Sequence, residues 1–134
     1  MLVHGTCHCG AIALEAEVDP AEVVLCHCTD CQAMSGGGFR VSVPAPAEGF
    51  RLLRGRPRLY RKRADSGRLR DQAFCGDCGT ALWSAGPDPA EGGYRLRAGC
   101  LAERERLPPR QRYWTASAPD WMEELAAIPG EPRD

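Results

Sequence analysis

The sequence has no long apolar run, no excess of charge of either sign and few aromatic residues, and each absence excludes something. Nothing in its 134 residues approaches the stretch of about eighteen apolar residues that crosses a bilayer, so no membrane partner is expected. The formal net charge of −1 withholds the polyelectrolyte signal of a nucleic-acid binder. Aromatic residues make up 7% and are not clearly interleaved with the basic ones, which leaves no ladder on which bases could stack. Met1-Leu2-Val3-His4-Gly5 lacks the basic head and apolar stretch of a secretory signal, so the expected location is the cytoplasm. Repeats and long linkers are also missing, and the length suits one domain with a core of its own. We expect that domain over residues 1–128, with a loose tail at 129–134.

Cysteine is plentiful instead. Eight residues fall into Cys7-His8-Cys9, Cys26-His27-Cys28-Thr29-Asp30-Cys31 and Cys75-Gly76-Asp77-Cys78, with Cys100 alone. Nothing indicates the oxidising compartment that disulfides need, and Cys-x-Cys is awkward for disulfide pairing but comfortable for joint metal ligation. Cys75-x-x-Cys78-Gly79 is a zinc knuckle, in which small residues let backbone amides turn toward sulfur. Cys7 and Cys9 supply the second pair that a knuckle needs. A four-thiolate site closed across that separation would pin the halves of a small β domain together. Cys26, Cys28 and Cys31 place three sulfurs within six residues. Two readings follow. A second zinc has an open fourth position, as zinc chemistry requires, or Cys100 closes the site and makes it structural.

Most of the remaining chain reads as short strands, and the fold class as mainly β. Residues 1–18 form a hairpin interrupted by the first cysteine pair, with alternation over 11–18. Further strands are expected at 23–25, 39–43, 50–54, 58–61, 69–74, 81–83, 94–98 and 112–115, the second of these ending where Pro44 and Pro46 break it. Residues 32–35 make a helical turn stopped by Gly36-Gly37-Gly38, a triplet that reads first as a turn and second as a place for close substrate approach. Residues 102–106 make an exposed turn, and 120–125 a short helix capped by Asp120 or Ser117. Residues 51–70 carry nine of the seventeen basic residues and one acid, Asp65. That run reads as a solvated strand edge, with an anion-binding face as the alternative. Trp83, Tyr113, Trp114 and Trp121 read first as core packing and second as the wall of a substrate pocket.

Three blocks carry a resemblance: Gly5-Thr6-Cys7-His8-Cys9-Gly10; Cys26-His27-Cys28-x-x-Cys31 followed by Ser35-Gly36; and Phe74-Cys75-x-x-Cys78-Gly79-Thr80-Ala81-Leu82. In this order they resemble the glutathione-dependent formaldehyde-activating enzyme family, also called the centromere protein V family. Gly99-x-Leu101 and Trp121 extend the likeness over nearly the whole chain. The resemblance implies the β-tent of Mss4-like proteins, largely antiparallel. It implies two Zn(II) ions, a structural one on Cys7, Cys9, Cys75 and Cys78 and an active-site one on Cys26, Cys28 and Cys31. It also implies a carbon–sulfur lyase that joins glutathione and formaldehyde reversibly into S-hydroxymethylglutathione. Where the family often has Gly-Thr-Leu-Asp, this chain reads Gly99-Cys100-Leu101-Ala102, so it has an extra thiol and lacks the aspartate.

Zinc would keep the substrate thiol deprotonated, and His27, between two ligands, would pass a proton to the nascent alkoxide or donate to a ligand sulfur. The expected partners are a small thiol and an aldehyde. The rival reading is a non-catalytic zinc module for a protein or nucleic acid; a third keeps the zinc chemistry with another small thiol.

Overall fold

A computed structural model of the chain describes residues 1–133, so the last position of the expected tail, Asp134, lies outside the described residues. Period-two alternation becomes ten strands in two sheets among these residues. The smaller sheet has β1 (Leu2–Thr6), β2 (Ala13–Glu17) and β5 (Phe50–Arg54) in that spatial order. The larger contains β3 (Val24–Cys26), β4 (Arg40–Ala45), β6 (Arg58–Arg63), β7 (Leu69–Phe74), β8 (Ala81–Ala85), β9 (Tyr94–Arg97) and β10 (Gln111–Tyr113), ordered β10-β3-β4-β9-β8-β7-β6. One α-helix, α1 (Thr29–Ser35), and short 3-10 turns join them. This is the mainly β, tent-like architecture expected from the sequence.

The inward faces of the two sheets share one core. Val3, Leu14 and Ala16 of the small sheet pack with Val43, Leu82 and Leu96 of the large one, and Ile12, Val23, Leu101 and Leu107 fill the space between. Burying each aliphatic side chain of this size contributes about 1.5–3 kcal/mol. Phe50 stacks on Tyr94 at 3.9 Å between ring centroids, with Trp83 edge-on to Phe50 at 5.0 Å, which locks β5 against β8 and β9. Gly55 then turns the chain from one sheet to the other with φ +82°, where a Cβ would strike the Ala11 carbonyl oxygen.

Four expectations need correction. Pro44 does not end its strand: β4 runs to Ala45, with Pro44 opposite Arg95. The reason is that β3 pairs only with Arg40, Val41 and Ser42, so beyond Ser42 the β3 side of β4 is an open edge that tolerates a missing N–H. Secondly, β10 pairs parallel with β3, within a framework that is otherwise antiparallel among the described strands. Thirdly, only Trp83 of the four aromatics expected in the core is buried. Trp114 is 67% exposed, Trp121 49% and Tyr113 45%. Lastly, the terminal helix is a 3-10 segment, Asp120–Ala127, with Pro119 at its N-cap position and no side-chain cap from Asp120 or Ser117.

The basic run forms the exposed β5 and β6, and β6 is the outer strand of the large sheet. Arg61 is bidentate to Asp71, Lys62 pairs with Asp30 and Arg51 with Glu15. These contacts suit a solvated edge.

Candidate metal centre and adjoining cavity

Two tight turns bring the outer cysteine pairs together. In the first, Cys7 N–H donates to the Ile12 carbonyl, Gly10 N–H donates to the Cys7 carbonyl, and Gly10 sits at φ +80°. In the second, Cys75 N–H donates to Thr80 and Gly79 N–H to Cys75, with Gly79 at φ +77°. The four sulfurs lie within 4.8 Å of one another, with Cys7–Cys9 at 3.6 Å and Cys9–Cys75 at 3.8 Å. A tetrahedron with metal–sulfur bonds of about 2.3 Å has edges of about 3.8 Å, so the set fits a tetrahedral thiophilic ion. All eight cysteines are free, and these separations are far beyond a disulfide bond.

Thr80 ties the two turns together. Its Oγ1 accepts from His8 N–H at 3.0 Å and contacts Cys78 Sγ at 3.2 Å. That hydroxyl, with the Thr80 backbone N–H, pulls the Cys78 thiol down to about 5. Thr80→Val keeps the shape and removes the hydroxyl. With metal bound, we expect it to give up the four-sulfur ion to a chelator roughly ten-fold more readily, as loss of a ligand-supporting hydrogen bond commonly does. Competition with a zinc-binding dye measures this, and unchanged retention would deny Thr80 that role.

The three-sulfur set forms where β3 ends and α1 begins. Cys28 is the N-cap of α1 and its Sγ accepts from Cys31 N–H at 3.3 Å, while Cys26 Sγ accepts from Cys28 N–H at 3.5 Å. Cys26, Cys28 and Cys31 have their sulfurs within 4.8 Å of one another, and no histidine or carboxylate among the described residues joins them. Burial opposes ionisation of Cys28, but Cys31 N–H and the neighbouring thiols hold it below its ordinary value. Cys100 is in neither set. Its thiol points to the Leu82 carbonyl at 3.8 Å, and burial pushes it up to about 11.

His27 lies between two of these cysteines in sequence but turns away from them. It is fully buried; Nδ1–H donates to the Gly38 carbonyl at 2.9 Å and Nε2 accepts from Arg112 Nε at 3.1 Å. Both nitrogens are thereby committed. The Gly36–Gly38 triplet serves the same corner: Gly36 ends α1 at φ +75°, and Gly38 packs beneath Trp121 and Met122. His8, beside the other pair, is exposed.

A cavity of about 630 Å³ borders elements that carry both cysteine sets, with Cys100 the cysteine in its lining. Met34 and Ser35 of α1 form one wall, Gly79 and Thr80 of the second turn another, and Arg40 and Arg97 part of the lining. A smaller cavity of about 350 Å³ shares Met34, Arg40, Gly79, Ala81 and Arg97 with it. Burial, with the nearby Arg40, pulls Arg97 down to about 9, which still leaves it cationic at neutral pH. Neither arginine was singled out by sequence reasoning, because both lie outside the dense basic run and read as outward positions of ordinary strands.

A mainly β tent with two converging cysteine sets and a cavity bordered by the elements that carry them defines the class: a small thiol-rich β-tent protein. The chain belongs to a particular family within it, since the family model described as glutathione-dependent formaldehyde-activating enzyme matches residues 2–117. A Halomonas elongata protein that carries this family's name is 27% identical over 128 residues, covering 92% of this chain and 81% of its own length. The fold is also that of a Rhodobacter sphaeroides protein from a structural-genomics programme, with a TM-score of 0.62 and 22% identity over 82% of this chain and 98% of that one. No helix among the described residues is long and apolar enough to cross a membrane.

Proposed function

We propose that this chain is a zinc-dependent carbon–sulfur lyase that reversibly joins a small thiol to an aldehyde, with glutathione and formaldehyde giving S-hydroxymethylglutathione. The observation that carries the reading is the three-sulfur set of Cys26, Cys28 and Cys31, which no histidine or carboxylate among the described residues joins; Cys31 lies on the helix α1, whose Met34 and Ser35 line a cavity large enough for a peptide-sized thiol. Membership of the family supports the choice of substrates. Cys7, Cys9, Cys75 and Cys78 would hold a second, structural zinc.

Zinc bound by three thiolates would supply an open position that holds the substrate sulfur as thiolate near neutral pH. Three cysteine thiolates and a substrate thiolate make a poor Lewis acid toward a carbonyl, so activation of the thiol is the chemistry to expect. The sulfur lone pair would form the C–S bond as the carbonyl π pair moves to oxygen, and that oxygen would take back from water the proton the thiol released to it, completing the hemithioacetal. The chain's own part is to fix the three ligands. Cys28 does so as cap of α1, and Gln32 braces the helix by donating to the His27 and Ser117 carbonyls. His27 is a positioning residue in this scheme, since its committed nitrogens leave none for proton transfer.

The reading is tested with zinc-loaded protein by following glutathione–formaldehyde exchange at equilibrium by NMR, because the adduct also forms unaided. Acceleration above background is expected, and its absence with two zincs bound would sink the reading. His27→Leu separates positioning from proton transfer. It strands the Gly38 carbonyl and the Arg112 donor, so stability should fall by about 2–5 kcal/mol in denaturant titrations. Exchange per folded molecule should stay within about ten-fold of wild type, less than the loss of a general acid–base group commonly causes.

A further inference from the structure

Buried charge is normally paired, because taking an ion out of water is expensive. Arg97 is 6% exposed, yet its guanidinium donates to the neutral Ser42 Oγ at 2.7 Å and Gln72 Oε1 at 2.9 Å. Arg40 is half-buried, and its Nε is a buried donor without a hydrogen-bond partner. The two cations are close enough to repel each other. Among the described residues neither has a carboxylate within ion-pair distance.

The three-sulfur set lies on their side of the large sheet. Arg40 is directly opposite Cys26 in the β3–β4 pair, and directly opposed residues project from the same face. Ser42 is two residues along β4 from Arg40 and directly opposite Arg97, so Arg97 shares that face. The helix α1 reaches it as well. Cys31 is the buried residue of α1, and Met34, three residues on and so on the same side of the helix, lines the smaller cavity with Arg40, Gln72 and Arg97. The charges meet there: burial pushes the Cys31 thiol up to about 12 while Arg40 opposes it, and burial pulls Arg97 down while Cys31 opposes that. A dication on three thiolates carries one net negative charge and leaves one guanidinium in excess. A fourth thiolate matches both guanidiniums, whereas water or another neutral ligand does not.

We propose that Arg40 and Arg97 are positioning residues that supply the counter-charge of the three-sulfur ion, so that its fourth position selects an anionic sulfur over a neutral ligand. This assignment rests on the thiol–aldehyde reading above and concerns the sulfur alone, whatever charge the rest of the thiol carries. The two arginines act through the field they set up behind the ligands, not by touching the substrate. The dense basic run is poorly placed for this role, since Arg51, Arg61 and Lys62 already pair with Glu15, Asp71 and Asp30.

The test uses the full chain with Co(II) in both cysteine sets. The four-sulfur ion then gives a fixed spectrum, while absorption of the three-sulfur ion changes as a fourth ligand enters. Two probes are titrated at neutral pH: 2-mercaptoethanol, which has no charge beyond its thiolate and gives its proton to the buffer on binding, and neutral imidazole. Arg40→Gln and Arg97→Gln should each weaken thiol binding about ten-fold or more, as loss of a group behind a metal ligand commonly does, and leave imidazole binding within about two-fold. Arg40→Lys keeps the charge and gives up the planar fork, so it should restore most of what Arg40→Gln removes. Arg40 is the less buried of the two, so its variants carry the test should Arg97→Gln not fold. No thiol binding in the wild type, undiminished binding in the folded variants, equal loss of thiol and imidazole, or a lysine that restores nothing overturns the proposal. Glutathione–formaldehyde exchange by the zinc-loaded proteins separates the two ideas. Exchange with thiol binding indifferent to both arginines removes the counter-charge and leaves the reaction; arginine-dependent thiol binding without exchange does the reverse.

Discussion

Cys75→Ser should leave a chain without a cooperative unfolding transition. Cys75 is 1% exposed, belongs to the core cluster and lies 3.8 Å from Cys9, sixty-six residues away. Its backbone closes the second turn through Thr80 and Gly79, so the substitution strikes packing, turn and ligand set together. A structural zinc contributes about 10–16 kcal/mol of apparent binding energy. A domain of this size has a net stability of only about 5–15 kcal/mol, so loss of the ion is comparable with the whole. Circular dichroism melts paired with a zinc count make the measurement. A variant that loses one zinc and still melts within a few degrees of wild type would show that the four-sulfur set is no brace.

Cys28→Ser should do the opposite: abolish exchange and spare the fold. The set that it disrupts spans six residues, Cys26 to Cys31, so no distant parts of the chain depend on it for closure. Cys28 also caps α1 through its sulfur, and serine is among the best N-cap residues, so the helix keeps its first hydrogen bond. Zinc content should fall from two per chain to one, and exchange to the uncatalysed background. Undiminished exchange would remove the three-sulfur set from the mechanism. Loss of both zincs with unfolding would make that set structural, as the four-sulfur set is proposed to be.

The grouping of the cysteines was legible because ligand spacing is a local property: Cys-x-Cys and Cys-x-x-Cys bring sulfurs together through one turn whatever surrounds them. The strands were legible for a similar reason, and Phe50–Arg54 and Leu69–Phe74 have the bounds that alternation suggests. What escaped depends on neighbours distant in sequence. Pro44 stays in a strand because β3 is short, and no local rule reports the length of a partner. Trp114 looked like core by residue type, yet it occupies an exposed left-handed position at φ +56°. Arg97 illustrates the limit most clearly. Alternation in Tyr94-Arg95-Leu96-Arg97 buries Leu96 and sends Arg97 outward, but the structure buries both because the cavity side of β9 is covered as well. Hydropathy carries no signal for a buried guanidinium, and only the assembled sheet shows that its partners are the neutral Ser42 and Gln72.

The long separation between Cys9 and Cys75 also sets an order of events on the ribosome. Residues emerge from the exit tunnel in sequence, so Cys26, Cys28 and Cys31 arrive as a group able to capture an ion while Cys7 and Cys9 still lack their partners. The brace cannot close before Cys78 has been made, and β3 lacks its parallel neighbour until β10 follows near the end of the chain. A pause in translation between these points would leave a nascent chain with at most the three-sulfur site able to take an ion and no core, its hydrophobic strands open to aggregation. Zinc supply during synthesis, and not only after release, is therefore expected to set the yield of correctly assembled protein.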